Sequence, residues 1–417
     1  MAKSKTMTTN QSENSDRSVQ TILQMTAALS GVIVYTSANG FMTGGLAVAG
    51  REVGLSEVVI GFVLGIGAFI GVIAAPLWGY AAEIWSRRKL MLLAVPMVAL
   101  GPAAMAVITA QSILISSVVA AAALTVARLV QAMFGAALIP VAQAYMADLT
   151  NPNHRIRGMG GLSAVISFGT LIGSVLLWGT GRHGVATGFA IVALLGVVAT
   201  LLVFIFLPEA QSRTNLPVAE RTLPLTRIAP YIAITLVGFT SYTVVPPILA
   251  LRLMDKFGFA GGEAAATAGL ILTVGVVAVC LAQVLIAARQ NWNPSIMLRV
   301  GSASILGGLA MLLVADDVIS MCIAMITIGF AVGFIAPANL GAISLHAGQG
   351  SQAKVAGLNM AARGLGSAIG PIIGTIMYKM DVDAPIYGSM ILVSALLLLT
   401  VVVRTPSVTC SIRNANF

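Results

Sequence analysis

The feature that most constrains this chain is its shortage of charge. Only 9% of its 417 residues are Asp, Glu, Lys or Arg, against about a quarter in an ordinary soluble domain. Hydrophobic residues make up 58% and the mean hydropathy is +0.96. The apolar residues fall into about twelve runs, each long enough to cross a bilayer as a helix of about 20 residues. A large water-soluble core is therefore excluded. The pattern predicts an all-α membrane protein of twelve transmembrane helices, with the lipid bilayer as its solvent.

The net charge of +9 would suggest nucleic acid in a soluble chain. Here basic residues gathering in cytoplasmic segments account for it, and no nucleic-acid partner is expected. Cys280, Cys322 and Cys410 are far apart and show neither disulfide nor metal-ligand spacing. No phosphate-binding Gly-x-x-x-x-Gly-Lys-Ser/Thr loop occurs, so neither ATP nor another cofactor is expected. The polar first residues lead into a run too long for a signal h-region, so no cleaved leader is expected.

In chain order, residues 1–18 read as a disordered cytoplasmic tail. The first six spans are expected over Thr21–Ala47, Val58–Ala82, a third ending near Thr109, Ile113–Ala147, Gly158–Trp178 and Val185–Leu207. Residues 19–207 then make one six-helix half. Residues 208–227, with Pro208, Pro217 and Pro224, read as a cytoplasmic linker. Spans seven to twelve start near Ile228, Gly262, Ser295, Val318, Ala353 and Ala384, giving a second half over 228–403 and a tail over 404–417. Pro246-Pro247 is expected to break or kink span seven. With the N-terminus inside, sixteen Lys and Arg fall in inside segments; Arg51, Arg182, Arg252, Lys256 and Lys379 fall outside. That bias puts both termini in the cytoplasm.

Shifting the chain against itself by 197 residues superposes Pro140 on Pro337, Arg157 on Lys354, Gly160 on Gly357, Gly169 on Gly366 and Gly173 on Gly370. Spans four and five thus repeat as spans ten and eleven. A repeat of this kind marks transporters whose halves are related by an axis along the membrane normal, with a solute site between them.

Two arginines lie deep within spans, Arg128 in span four and Arg363 in span eleven. A central Arg costs roughly 2.5–3.5 kcal/mol even on lenient insertion scales, so each must face a partner or a wet cavity. All fourteen acids sit at span ends, loops or tails. Two unpaired cations would attract an anion, because a guanidinium fork binds two oxygens at once. The solute is thus expected to carry an acidic group, as in a carboxylate metabolite or a carboxylate-type siderophore. The bland reading stands beside it: Arg128 bonds Gln131 or backbone carbonyls, and Arg363 serves a kink at Gly364 and Gly366. Polar and aromatic stripes add further solute-site candidates: Gln24, Tyr35 and Asn39 in span one, Tyr231 and Tyr242 in span seven, Asn339 in span ten and Asn359 in span eleven. Hydrogen bonding between helices would use the same residues.

The chain resembles the major facilitator superfamily over nearly its whole length, on three altered signatures. The loop after span two reads Gly79, Glu83, Ser86, Arg87 and Arg88 against Gly-x-x-x-Asp-Arg-x-Gly-Arg-Arg/Lys. Span four reads Arg128, Gln131 and Ala132 against Arg-x-x-Gln-Gly. Span five reads Gly169, Gly173 and Ser174 against Gly-x-x-x-Gly-Pro, whose full form stands instead at Gly366, Gly370 and Pro371. The set is most similar to the twelve-span drug:proton antiporter branch. The resemblance implies a gating latch at Gly79, Glu83, Arg87 and Arg88, close helix sliding at the span-five and span-eleven glycines, and a proton as coupling ion.

The expectation is a non-enzymatic, monomeric secondary transporter of the inner membrane that exports a small organic solute. A multidrug-type pump for apolar compounds, an anion exchanger or facilitator, and a non-transporting receptor remain alternatives. The short loops offer the receptor reading no sensor domain. The spans hold no acid pair, His cluster or nucleophile–base pair for an enzyme.

Overall fold

A computed structural model describes residues 2–111, 116–149, 155–209, 225–288, 293–347 and 352–402. Within them, side chains are described from residue 20 onward except at a few positions, Glu83 among them. The described residues form twelve long helices: α1 (Ala2–Glu52), α2 (Glu57–Ile84), α3 (Arg87–Ala110), α4 (Ser117–Leu149), α5 (Arg155–Thr180), α6 (Val185–Phe206), α7 (Leu225–Asp255), α8 (Gly261–Ala288), α9 (Pro294–Val314), α10 (Val318–Ala347), α11 (Gln352–Met380) and α12 (Ala384–Val402). Each carries a stretch long and apolar enough to cross a membrane. The core of the linker, 210–224, the tail beyond 402 and Cys410 lie outside the described residues.

One expectation is corrected. The polar residues before the first span continue α1 instead of forming an irregular tail. They contain no Pro or Gly before Gly31, and extending an existing helix needs no new nucleus. Of the two outcomes expected at Pro246-Pro247, a break does not occur: α7 runs from Leu225 to Asp255. Val244 to Leu253 are all buried, so tertiary packing holds the helical path that the missing backbone donors would otherwise open.

The repeat is visible in how glycines seat helices. In the first half, Gly169 and Gly173 of α5 press on α1. An added Cβ would lie 2.9 Å from the Ile33 carbonyl oxygen and would overlap the Ser37 carbonyl oxygen. In the second half, Gly366 and Gly370 of α11 press on α7, with a Cβ 2.7 Å from the Leu236 oxygen and 2.6 Å from the Thr240 oxygen. Ile33 and Leu236, like Ser37 and Thr240, are 203 residues apart. The same glycine-on-backbone contact is therefore built twice, as expected where no hydrophobic force drives helices together in lipid.

The halves meet mainly along α2–α11 and α5–α8, with α1 also touching α7 and α8. Gly61 and Gly65 of α2 lie against Ala368, Pro371, Ile372 and Thr375 of α11. Gly269 of α8 lies against the backbone of Leu177 and Trp178 in α5. These contacts sit at the end of the bundle where α1 finishes and α2 begins. There a single buried core runs across both halves, from Ala38–Ala49 of α1 to Val244–Leu253 of α7. Towards the other end of the first half a separate core forms, from Ala27–Val34, Leu90–Val98 and Leu138–Tyr145. The molecule is thus fused across the halves at one end.

Candidate functional site: two arginines between the halves

Arg128 points inward from α4 and is only 6% exposed. Its Nη1 donates to Asn39 Oδ1 of α1 at 2.9 Å and to Gln131 Oε1, one turn along α4, at 2.8 Å. Asn39 is itself held, donating from Nδ2 to the Tyr35 carbonyl at 2.9 Å. Gly67 of α2 makes the space: a Cβ there would overlap Arg128 Nε and lie 2.7 Å from its Cγ. The guanidinium thus sits between α1, α2 and α4, and its described partners are all neutral: two amide oxygens and, at 3.7 Å, the Met42 sulfur of α1. Its Nε and the Nε2 of Gln131 are buried and unpartnered.

Arg363 is held differently. Its guanidinium lies over the Phe239 ring of α7, 4.6 Å from the centroid, and its side chain is exposed although it sits well inside α11. Tyr242 of α7 and Tyr35 of α1 lie within electrostatic range of it. Tyr35 is in range of Arg128 as well, so one α1 tyrosine from the first half lies near both cations. Its ring packs where Gly135 of α4 has no side chain. No ion pair reaches either arginine among the described residues; those present join helix ends.

The structure therefore brings together Arg128, Arg363, Tyr35, Asn39, Gln131 and Tyr242. Asn359 lies one turn before Arg363 on α11, whereas Gln24, Tyr231 and Asn339 are not brought to them. Gln24 lies eleven residues before Tyr35, about 16 Å along the helix at 1.5 Å per residue. Tyr231 is 1% exposed and its ring stacks on His346 at 5.0 Å. Asn339 donates to the Tyr231 carbonyl and to Thr235 Oγ1, both at 2.8 Å, and Thr235 donates to Asn359 Oδ1 at 2.6 Å. That α7–α10–α11 network ties the second half together. Phe239, Gly67 and Thr235 complete the picture. Phe239 lies on the same α7 face as Thr235 and Tyr242, four residues after one and three before the other.

At the loop signature, Arg88 donates to the Phe204 carbonyl of α6 at 2.8 Å and Arg87 faces Tyr145 of α4, all within the first half. Gly79 meets nothing that a Cβ would disturb, and the Glu83 side chain lies outside the described residues. Gly169, Gly173, Gly366 and Gly370 seat helices inside each half, whereas Pro371 borders α2 across the halves through its carbonyl.

Sequence comparison agrees with this architecture: residues 27–408 match the Major Facilitator Superfamily. The chain belongs to that superfamily. Among its curated relatives, Multidrug resistance protein 1 of Bacillus subtilis is 26% identical over 293 residues, covering 68% of this chain and 74% of the relative. Multidrug resistance protein 2 of the same organism is 23% identical over 354 residues, covering 79% and 82%. Solved superfamily structures share the fold. A D-xylose–proton symporter superposes with a TM-score of 0.75 at 15% identity, covering 93% of this chain and 98% of that one. The human organic anion transporter MFSD10 gives 0.64 at 16%, covering 91% and 99%. This superfamily member is accordingly a multi-pass membrane transporter.

Proposed function

We propose that the protein exports a small organic solute bearing at least one acidic group, by alternating access and in exchange for protons. The observation that carries this reading is the pair of guanidiniums within range of Tyr35, one from each half, neither paired with a carboxylate among the described residues. An arginine whose described partner is a ring face is available to a solute oxygen. Desolvated charge-assisted bonds of this kind contribute roughly 1.5–3 kcal/mol each. Rocking of the halves would expose the arginines to each face in turn, and Tyr35, Phe239 and Tyr242 would hold the apolar part of the solute. With both termini cytoplasmic, the fused end is extracytoplasmic and this is the inward-facing state.

The names of the Bacillus relatives favour a second reading, efflux of apolar compounds past the same aromatic groups. Inside-out vesicles separate the two. An imposed acid-inside pH gradient should drive uptake of carboxylate dyes and leave cationic lipophilic dyes behind. Uptake of the cationic dyes alone would establish the second reading.

A further inference from the structure

At the fused end, Arg51 in the last turn of α1 holds two carboxylates at once. It grips Asp255, in the last turn of α7, with both ends of its fork: Nη1 to Oδ1 and Nη2 to Oδ2, each 2.7 Å. Nη2 also reaches Glu57 Oε1, at the start of α2, at 2.7 Å. Asp255 accepts a third bond, from the Tyr378 hydroxyl at the end of α11, at 2.8 Å. Arg51 and Glu57 belong to the first half, Asp255 and Tyr378 to the second. Nearby, Arg252 of α7 and Lys256, just past its end, are both engaged by Asp383, at 2.9 Å and 2.8 Å, so they do not compete for Asp255. The described ion pair that crosses between the halves is therefore Arg51–Asp255.

We infer that Arg51 is a two-partner switch that latches this mouth of the transporter. In the closed state it bridges to Asp255, whose free lone pair is fixed by Tyr378. When the halves part, Arg51 keeps its bond to Glu57 within its own half. The cation is then never stripped of both carboxylates, and opening loses one bidentate pair instead of stranding a charge. Glu57 lowers the barrier to opening and Asp255 opposes it, so the two acids act in opposite directions on one equilibrium. This inference needs alternating access but not an anionic solute, and its test uses no solute.

The test is pulsed electron paramagnetic resonance on the full chain in lipid nanodiscs. Cys280, Cys322 and Cys410 are replaced by Ser, and spin labels are placed at Ser56→Cys and Met380→Cys, exposed positions beside the latch on opposite halves. The parent protein should show a dominant short distance. Asp255→Asn should lower the short-to-long ratio by about tenfold, the loss of one charge-assisted pair, and Glu57→Gln should raise it. As a check needing no latch variant, raising ionic strength from about 0.05 to about 1 M should lower the ratio in the labelled parent, since the pair is partly exposed and open to screening. If both acid variants move the ratio the same way, or if variants and salt leave it unmoved, Arg51 is an ordinary surface ion pair and the switch does not exist.

Discussion

Arg128 and Arg363 are the same residue type at comparable depth in α4 and α11, yet the fold treats them in opposite ways. Arg128 is locked: two amide oxygens accept from one of its nitrogens, and Gly67 is hollowed out to receive it. Arg363 lies on a phenylalanine face and stays exposed. The α1 position that supplies Asn39 to Arg128 corresponds, at the 203-residue offset of the helix seats, to Tyr242 of α7, which faces Arg363. The two halves thus reuse one position with different chemistry, an amide that fixes a cation and a phenol beside a cation left available. The comparison teaches that a deep charge is not by itself a solute ligand. On the proposed reading the fixed one sets the field and the shape of the site, and the available one is the solute's ligand.

The comparison can be broken most forcefully at Arg128. Arg128→Leu leaves Asn39 Oδ1 and Gln131 Oε1 buried without a donor, at about 1–3 kcal/mol for each stranded group. The fraction of protein remaining monodisperse after heating in detergent should fall sharply. Parental heat resistance would show that Arg128 is no more fixed than Arg363. Gly67→Ala should come next, at about 1–3 kcal/mol, because overpacking must displace a clamped side chain. Combined with Arg128→Leu its effect should be much less than additive, since the clashing group is already gone. Arg363→Gln should act the other way round, changing heat resistance little while lowering carboxylate transport by about tenfold or more, one lost charge-assisted bond. Smallest is Phe239→Leu. Removing a cation–π contact of about 0.5–2 kcal/mol should raise the half-saturating carboxylate concentration severalfold with the maximal rate nearly unchanged.

Much of the fold was legible in the sequence. Twenty-residue apolar runs have few alternatives in lipid, and helix starts such as Val185, Val318 and Ala384 fall where composition changes. The glycine and proline matches at one offset announced the repeat. What escaped was tertiary. Phe239 lies on the stripe that includes Thr235 and Tyr242, but a phenylalanine in an apolar helix carries no sign in the sequence that a cation lies on its ring. Gly67 is one small residue among several in α2 until Arg128 is seen against it. Arg51 and Asp255 read as ordinary helix-end charges, 204 residues apart, and nothing local says that they meet. At the proline pair the helix continues because local propensity yields where every neighbouring residue is buried.

The most direct measurement compares a fluorescent monocarboxylate with its methyl ester in proteoliposomes driven by the same pH gradient, for the parent and for Arg363→Gln. The parent should carry the carboxylate at least about tenfold faster than the ester, as one charge-assisted bond of about 1.4 kcal/mol would give, and Arg363→Gln should abolish the preference while ester flux is retained. Equal transport of acid and ester by the parent, or a preference that survives Arg363→Gln, would contradict the acidic-solute reading.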